Sequence, residues 1–238
     1  MLLYYIRHGD PIYNPDSLTP LGNEQARALG KRLATYGIDE IYSSDSVRAM
    51  QTAQPTCDLL KKEKVLLPWA NEGRAWEQLT VVREDGRRTW CFHTQSCVEL
   101  FNSPEVLAMG EAWYDHPCFA DTSFKQGIER IDREADGFLL SLGYRHDRVN
   151  HRYEAVTPND KRIALFAHQG FGLAFLGSIL DVPYPYFATH FDLSHSSMSV
   201  INFSGTGDWI YPKALQLSND SHLYRDGLLT GYNNGIRV

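Results

Sequence analysis

Cysteine is scarce. Cys57, Cys91, Cys97 and Cys118 are the whole supply in 238 residues, too few and too irregularly spaced for a disulfide framework. Reduced thiols and a cytoplasmic setting are therefore expected. No apolar run approaches the roughly 20 residues needed to cross a bilayer, and the first residues lack the basic lead and small-residue cleavage site of a secretory signal. Positive charge is also short: 23 Lys and Arg face 29 Asp and Glu, a formal net charge of −6. That opposes nucleic acid or an anionic membrane as a partner, since both need a basic face. It does not oppose a small anion, because a few arginines in a cleft focus a local positive potential whatever the overall sign. Repeats and low-complexity tracts are missing too, which excludes solenoids and disordered tails. The remainder is the sequence of a globular chain long enough to bury one large core.

The stretch around which the chain is organised is Leu2-Leu3-Tyr4-Tyr5-Ile6-Arg7-His8-Gly9-Asp10. A short apolar run of this kind predicts a buried strand, and Gly9 lets the backbone turn without a Cβ. Arg7 and His8 then sit at the strand's carboxyl end, the edge where open α/β sheets bind ligands. A permanent cation next to a potential nucleophile suits a phosphorylated substrate. On its own such a pair is more often a solvated loop.

Thr19-Pro20 supplies an N-cap and a proline at the first helical position, and the spacing predicts a helix over 20–36 with Leu21, Ala28, Leu29 and Leu33 as its apolar stripe and Gly37 at its end. A second strand is expected over 38–43. Ser43-Ser44-Asp45-Ser46 can cap the next helix, whose expected buried stripe is Val47, Met50, Ala53, Cys57 and Leu60, with a kink at Pro55. Arg48 falls in its first turn, where free amides already favour an anion. Val65-Leu66-Leu67-Pro68 reads as a third strand. Phe124 to Leu142 is amphipathic at helical spacing, and 146–160 reads as loop or hairpin. Arg162 to Ala167 reads as a central strand that delivers His168 to the same edge as His8, before an apolar helix over 171–180. A last core strand is expected over 196–203 and an edge strand over 209–217; the tail from Ser218 carries too little apolar sequence to assign.

Five blocks resemble the histidine phosphatase superfamily, the phosphoglycerate mutase-like fold. They are Arg7-His8-Gly9; Asn14; Leu18-Thr19-Pro20-Leu21-Gly22-Asn23-Glu24-Gln25-Ala26; Ser43 to Ala53 with Arg48; and Ala167-His168-Gln169-Gly170. The resemblance covers residues 1–78 and 122–204. It implies an α/β three-layer sandwich, a mostly parallel sheet with helices on both faces, in a single domain over 1–238 with a lid inserted at about 79–121. It implies His8 as nucleophile, Arg7, Arg48 and His168 around the transferred phosphoryl group, and Asn14 and Gln169 among the substrate-binding residues. Glu72 stands where the family keeps its proton donor, with Glu77 and Asp10 as rivals. A neutral imidazole can attack phosphorus, and arginine forks with a further donor can hold the charge that develops on the oxygens. No metal or other cofactor is called for.

The family supports several outcomes. Around the proton donor, cofactor-dependent mutases carry an arginine directly after the glutamate and a Tyr-Gly pair behind it, whereas this chain has Glu72-Gly73-Arg74-Ala75. The expected activity is therefore hydrolysis of a phosphomonoester on a small metabolite, with a phosphoglycerate mutase and a non-catalytic phosphate-binding protein as alternatives. In the insertion, Arg83-Glu84-Asp85-Gly86-Arg87-Arg88 reads as a charged hairpin tip, although Arg87 or Arg88 would suit an anionic substrate tail. Cys91, His93, Cys97, His116 and Cys118 match no zinc spacing. His190 and His195 read as structural histidines.

Overall fold

Leu2–Arg7 lies in the middle of a six-stranded sheet. The computed structural model describes residues 1–205, 207–233 and 235–236. Sheet order is Lys213–Asn219, Met198–Asn202, Leu2–Arg7, Arg162–Ala167, Glu40–Ser43 and Lys64–Leu66. The last four strands pair in parallel, and the first two join antiparallel. This is an α/β fold with a mostly parallel central sheet and helices on both faces.

Both faces of the sheet are covered, so the two central strands run apolar from Leu2 to Ile6 and from Ile163 to Ala167. Side chains alternate across the sheet. Leu3, Tyr5, Ile163, Leu165 and Ala167 enter the larger core, under the helices Phe124–Ser141 and Gln169–Ile179. Tyr4, Ile6, Ala164 and Phe166 enter the smaller one, under Pro20–Tyr36 and Val47–Leu60. The first of these helices begins as its sequence predicts: the Thr19 hydroxyl accepts from the Gly22 amide at 3.0 Å, and Gly37 closes the end at φ 75°.

Several expectations need correction. Of the expected stripes, Ala28, Leu29, Leu33, Ala53 and Cys57 are buried, but Leu21 and Val47 are exposed, and small residues line the contact between the two helices, Ala26 and Gly30 on one and Ala49, Thr52 and Thr56 on the other. The helices approach so closely that a Cβ on Gly30 would lie 3.0 Å from Pro55 Cβ, so only small residues fit at that crossing. The helix continues through Pro55 to Leu60. The second strand is shorter than expected, Glu40–Ser43. The expected strand over 209–217 is two pieces: Trp209–Ile210 joins the hairpin Tyr144–Asp147/Arg152–Ala155, and Lys213–Asn219 edges the main sheet. Pro212 lies between them and cannot donate to a ladder.

Residues 79–121 form an antiparallel hairpin, Thr80–Val82 with Arg88–Trp90, then a series of short helical turns. An aromatic cluster holds the turns together, with Phe101 5.3 Å from Trp113 and 5.7 Å from Phe119, ring centre to ring centre.

Candidate active site

Three strand ends build the site. Arg7 pairs with Ala167 and Phe166 with Ser43 in register, so His8, His168 and Ser44, each one residue past its strand, lie side by side. Backbone bonds fix them there: the His8 amide donates to Ala167 O at 3.0 Å, and the Ser44 amide to Phe166 O at 2.8 Å. The turn after His8 is closely packed. A Cβ on Gly9 would sit 2.7 Å from Gly22 O, and one on Gly22 would overlap Asp10 O, which is the reason both blocks carry glycine.

His8 is buried, and its Nδ1 faces Gly9 O at 2.7 Å. Nδ1 must therefore carry the hydrogen, and Nε2 keeps its lone pair. Burial holds the imidazole well below the ordinary histidine range, helped by His168, Arg7 and Arg48. A neutral ring with an uncommitted nitrogen is a nucleophile at physiological pH.

His168 is the second buried imidazole, its ring centre 5.3 Å from that of His8. Its Nε2 lies 2.8 Å from Ser44 Oγ and 3.3 Å from Ser46 Oγ. Both hydroxyl oxygens already accept backbone amides, from Ser46 and Ala49 respectively, so their hydrogens are free to go to Nε2. That leaves the hydrogen on Nδ1, which is buried without a hydrogen-bond partner and faces Glu72 at 3.6 Å. Burial, then Arg48 and Arg7, keeps this ring neutral as well.

Arg7 is fully buried, yet among the described residues no carboxylate pairs with it. Its fork donates to neutral oxygens, Leu193 O and Asn233 Oδ1, the latter at 2.6 Å, and its Nε has no partner. Arg48, at the start of its helix, donates to Asp16 Oδ1 at 2.8 Å and Glu72 Oε2 at 3.2 Å. Glu72 opens the helix Glu72–Gln78 and also accepts the Gly170 amide at 2.8 Å. His8, Glu72 and His168 offer ligand-type atoms within 4.8 Å of one another. The two arginines and the committed His8 Nδ1 suit this cluster to an anion better than to a metal cation.

The same sequence pattern recurs in known proteins. Residues 3–115 match the family model described as histidine phosphatase superfamily (branch 1). Over that segment, just under half of the chain, the protein is similar to the histidine phosphatase superfamily. Similar proteins include "Putative phosphoserine phosphatase 2" of Hydrogenobacter thermophilus, 24% identical over 153 residues, with 60% of this chain and 68% of the relative covered. "Probable phosphoglycerate mutase GpmB" of an Enterobacter species is 32% identical over 103 residues, with 37% of this chain and 48% of the relative covered, so the chain spans about half of that protein. In fold, the chain resembles the phosphoserine phosphatase of Entamoeba histolytica solved with 3-phosphoglyceric acid, at a TM-score of 0.59, 20% identity and coverage of 93% and 98%.

Not every expected residue of this histidine phosphatase relative reaches the cluster. Asn14 is exposed in the turn between Pro11–Tyr13 and Asp16–Leu18, and Tyr13 lines the cavity in its place. Gln169 is buried but acts at one remove: it donates to Asp192 and accepts from Asn233 at 3.2 Å. Of the rival acids, Glu77 is exposed, and Asp10 accepts the Thr19 hydroxyl at 2.6 Å. Arg87 and Arg88 are exposed on the hairpin, where Arg88 donates to Thr80 Oγ1 at 2.9 Å. Cys91 lies against the Tyr184 hydroxyl at 3.4 Å, and His116 Nδ1 lies 2.9 Å from the Cys118 thiol.

Two residues of the site escape sequence reasoning. His195 stacks on His8 with ring centres 6.1 Å apart, its Nε2 donating to Asn233 Oδ1 at 2.8 Å, and burial pushes it down to about 4. Met198–Asn202 runs antiparallel to Leu2–Arg7, so the segment before that strand, not after it, meets the site edge. That direction is the signal that would have found His195. Asn233 comes from the tail, which is tied in where the His195 amide donates to Gly231 O at 2.8 Å.

Proposed function

We propose that the protein is a phosphomonoesterase that works through a phosphohistidine. One observation carries the reading: a buried arginine fork with no carboxylate partner among the described residues lies next to a neutral histidine whose Nε2 is uncommitted. A buried cation needs an anion, and a phosphoryl group brings one to the nucleophile.

The substrate phosphate takes the place between Arg7, Arg48 and His168 Nδ1–H. His8 Nε2 forms a bond to phosphorus as the bond to the alcohol oxygen breaks, and Glu72, carrying the proton, gives it to that oxygen. Water then enters, Glu72 takes its proton, the resulting hydroxide attacks phosphorus, and the nitrogen–phosphorus bond breaks to free His8 and inorganic phosphate. The arginines stabilise charge on the oxygens in both steps. Every step runs through side chains of this chain. Ser44 sets the tautomer of His168, and Gly170 N orients Glu72.

Hydrolysis is favoured over transfer to a second acid because Arg74, the cation nearest in sequence to Glu72, is exposed outside the cluster. The substrate is a small phosphorylated metabolite, and the setting is the cytoplasm, with neither nucleic acid nor membrane as partner. The test follows phosphate release from p-nitrophenyl phosphate alongside isomer formation from 3-phosphoglycerate with a bisphosphoglycerate primer. Phosphate release without isomer is expected. Isomer without free phosphate makes the protein a mutase, and binding of phosphate with neither reaction makes it a binding protein.

A further inference from the structure

A cavity of about 580 Å³ opens on Glu72 and Arg48. A proton donor must touch the leaving oxygen, so the alcohol part of the substrate lies in this cavity. Its size is in the range that encloses ligands larger than a three-carbon acid. The remaining wall includes Tyr13, Trp76, Trp90 and His93.

We infer that the leaving group is a flat, uncharged ring-bearing alcohol, selected by Trp76 and Trp90; this rests on the phosphatase reading. Two independent observations support it. The first is charge. Arg48 is the one arginine or lysine on the described wall, and it is already shared between Asp16, Glu72 and the phosphoryl group. His93 is kept neutral by burial. A carboxylate or second phosphate on the alcohol would be desolvated beside Glu72 with no cation of its own. The neighbouring cavity beyond His93 gives no relief, because its Arg83 lies among Glu84 and Asp85, with Asp85 3.7 Å away.

The second observation is shape. Trp76 and Trp90 meet edge to face at 5.1 Å and 88°, and Trp90 stacks on Phe92 at 5.6 Å. Trp90 is buried against Gly170, where a Cβ would overlap its ring. The pair is thus a fixed aromatic corner, and Trp76 remains partly exposed to receive a ring. A ring stacked there gains about two- to twelvefold in binding beyond its area.

The test compares monoesters of alkyl alcohols, whose intrinsic reactivity is similar: 2-phenylethyl phosphate, ethyl phosphate, O-phosphoserine and 3-phosphoglycerate. The expected kcat/KM for 2-phenylethyl phosphate exceeds that of each other substrate about tenfold or more, mostly through KM. Trp76→Ala should collapse the phenylethyl-to-ethyl ratio, and Trp76→Phe should restore most of it. Thr89→Lys, which adds a cation to the wall, should raise phosphoserine relative to 2-phenylethyl phosphate. Preference of the wild-type protein for phosphoserine or 3-phosphoglycerate, or an unchanged ratio in folded Trp76→Ala, overturns the inference and leaves the phosphatase reading standing. Hydrolysis of none of the four overturns the inference, and the phosphatase reading falls with it only where p-nitrophenyl phosphate is not hydrolysed either.

Discussion

Replacing Glu72 by glutamine separates proton donation from everything else the carboxylate does. The amide side chain would keep an oxygen for the Gly170 amide, 2.8 Å from Oε1, so the helix start and the Gly170 contact survive. It would turn an NH2 toward Arg48 Nη2, now 3.2 Å from Oε2, and it cannot supply a proton. General acid catalysis contributes about 10²- to 10⁴-fold, or roughly 3–5 kcal/mol at 1.36 kcal/mol per decade. That loss should appear in kcat/KM for ethyl phosphate, whose alkoxide leaves only if protonated. It should be far smaller for p-nitrophenyl phosphate, whose phenolate leaves unaided. Loss of the Arg48 partner affects both substrates equally, and the shared second step, where Glu72 acts as base, does not enter kcat/KM, so the ratio of the two kcat/KM values isolates the donated proton. The assay is steady-state phosphate release on both substrates with wild-type and E72Q protein. Equal losses on the two substrates would refute the assignment and return attention to Asp10.

Further outcomes follow from the same contacts. Because His8 titrates well below the ordinary histidine range, the acid limb of the kcat/KM profile should fall well under pH 6.5; a limb centred at 6.5 contradicts a buried neutral nucleophile. His195 and His222, each pushed down to about 4 by burial, add stability that is complete above pH 6.5 and is lost as pH falls from there toward 4, at no more than about 1.4 kcal/mol per pH unit for each group. His146, raised by Asp136 and Asp181 against burial, acts in the opposite sense, its contribution present below 6.5 and lost as pH rises through its folded value. His8 and His168 are depressed as well, so the depressed histidines outweigh His146 and urea unfolding should show lower stability at pH 5 than at pH 7; equal or higher stability at pH 5 would contradict this. Asn233→Ala removes a charge-assisted partner from Arg7 and should destabilise the fold by about 1–3 kcal/mol. Saturating inorganic phosphate should recover most of that loss in a thermal melt; a deficit unchanged by phosphate counts against phosphate at Arg7. Ser44→Ala should lower kcat by about tenfold with little change in KM, since Ser46 still reaches His168 at 3.3 Å. An unchanged kcat would show that the tautomer does not depend on Ser44.

The sheet and its first helix were legible because their signals are local. Leu2–Arg7 is apolar up to Ile6 and Arg162–Ala167 from Ile163 on, and each ends next to the residue that matters, His8 or His168. Thr19, Pro20 and Gly37 mark their helix directly. The insertion was not legible, because its turns run three to seven residues, too short for a helical period to show, and they are held by aromatic packing between distant positions. His195 and Asn233 were hidden for a different reason. Their place depends on an antiparallel strand and on a tail folded back on it, both long-range pairings that no local pattern encodes. Asn14 shows the converse, where spacing pointed to a residue that the short hairpin leaves in solvent.

The most direct measurement maps the phosphoryl group itself. Mixing the protein with a monoester, quenching within the first turnover under alkaline conditions and locating the added phosphate by peptide mass spectrometry should place it on His8, as an acid-labile adduct that is absent from His8→Ala. No adduct during active turnover, an adduct on another residue, or full activity in His8→Ala would contradict the phosphohistidine mechanism.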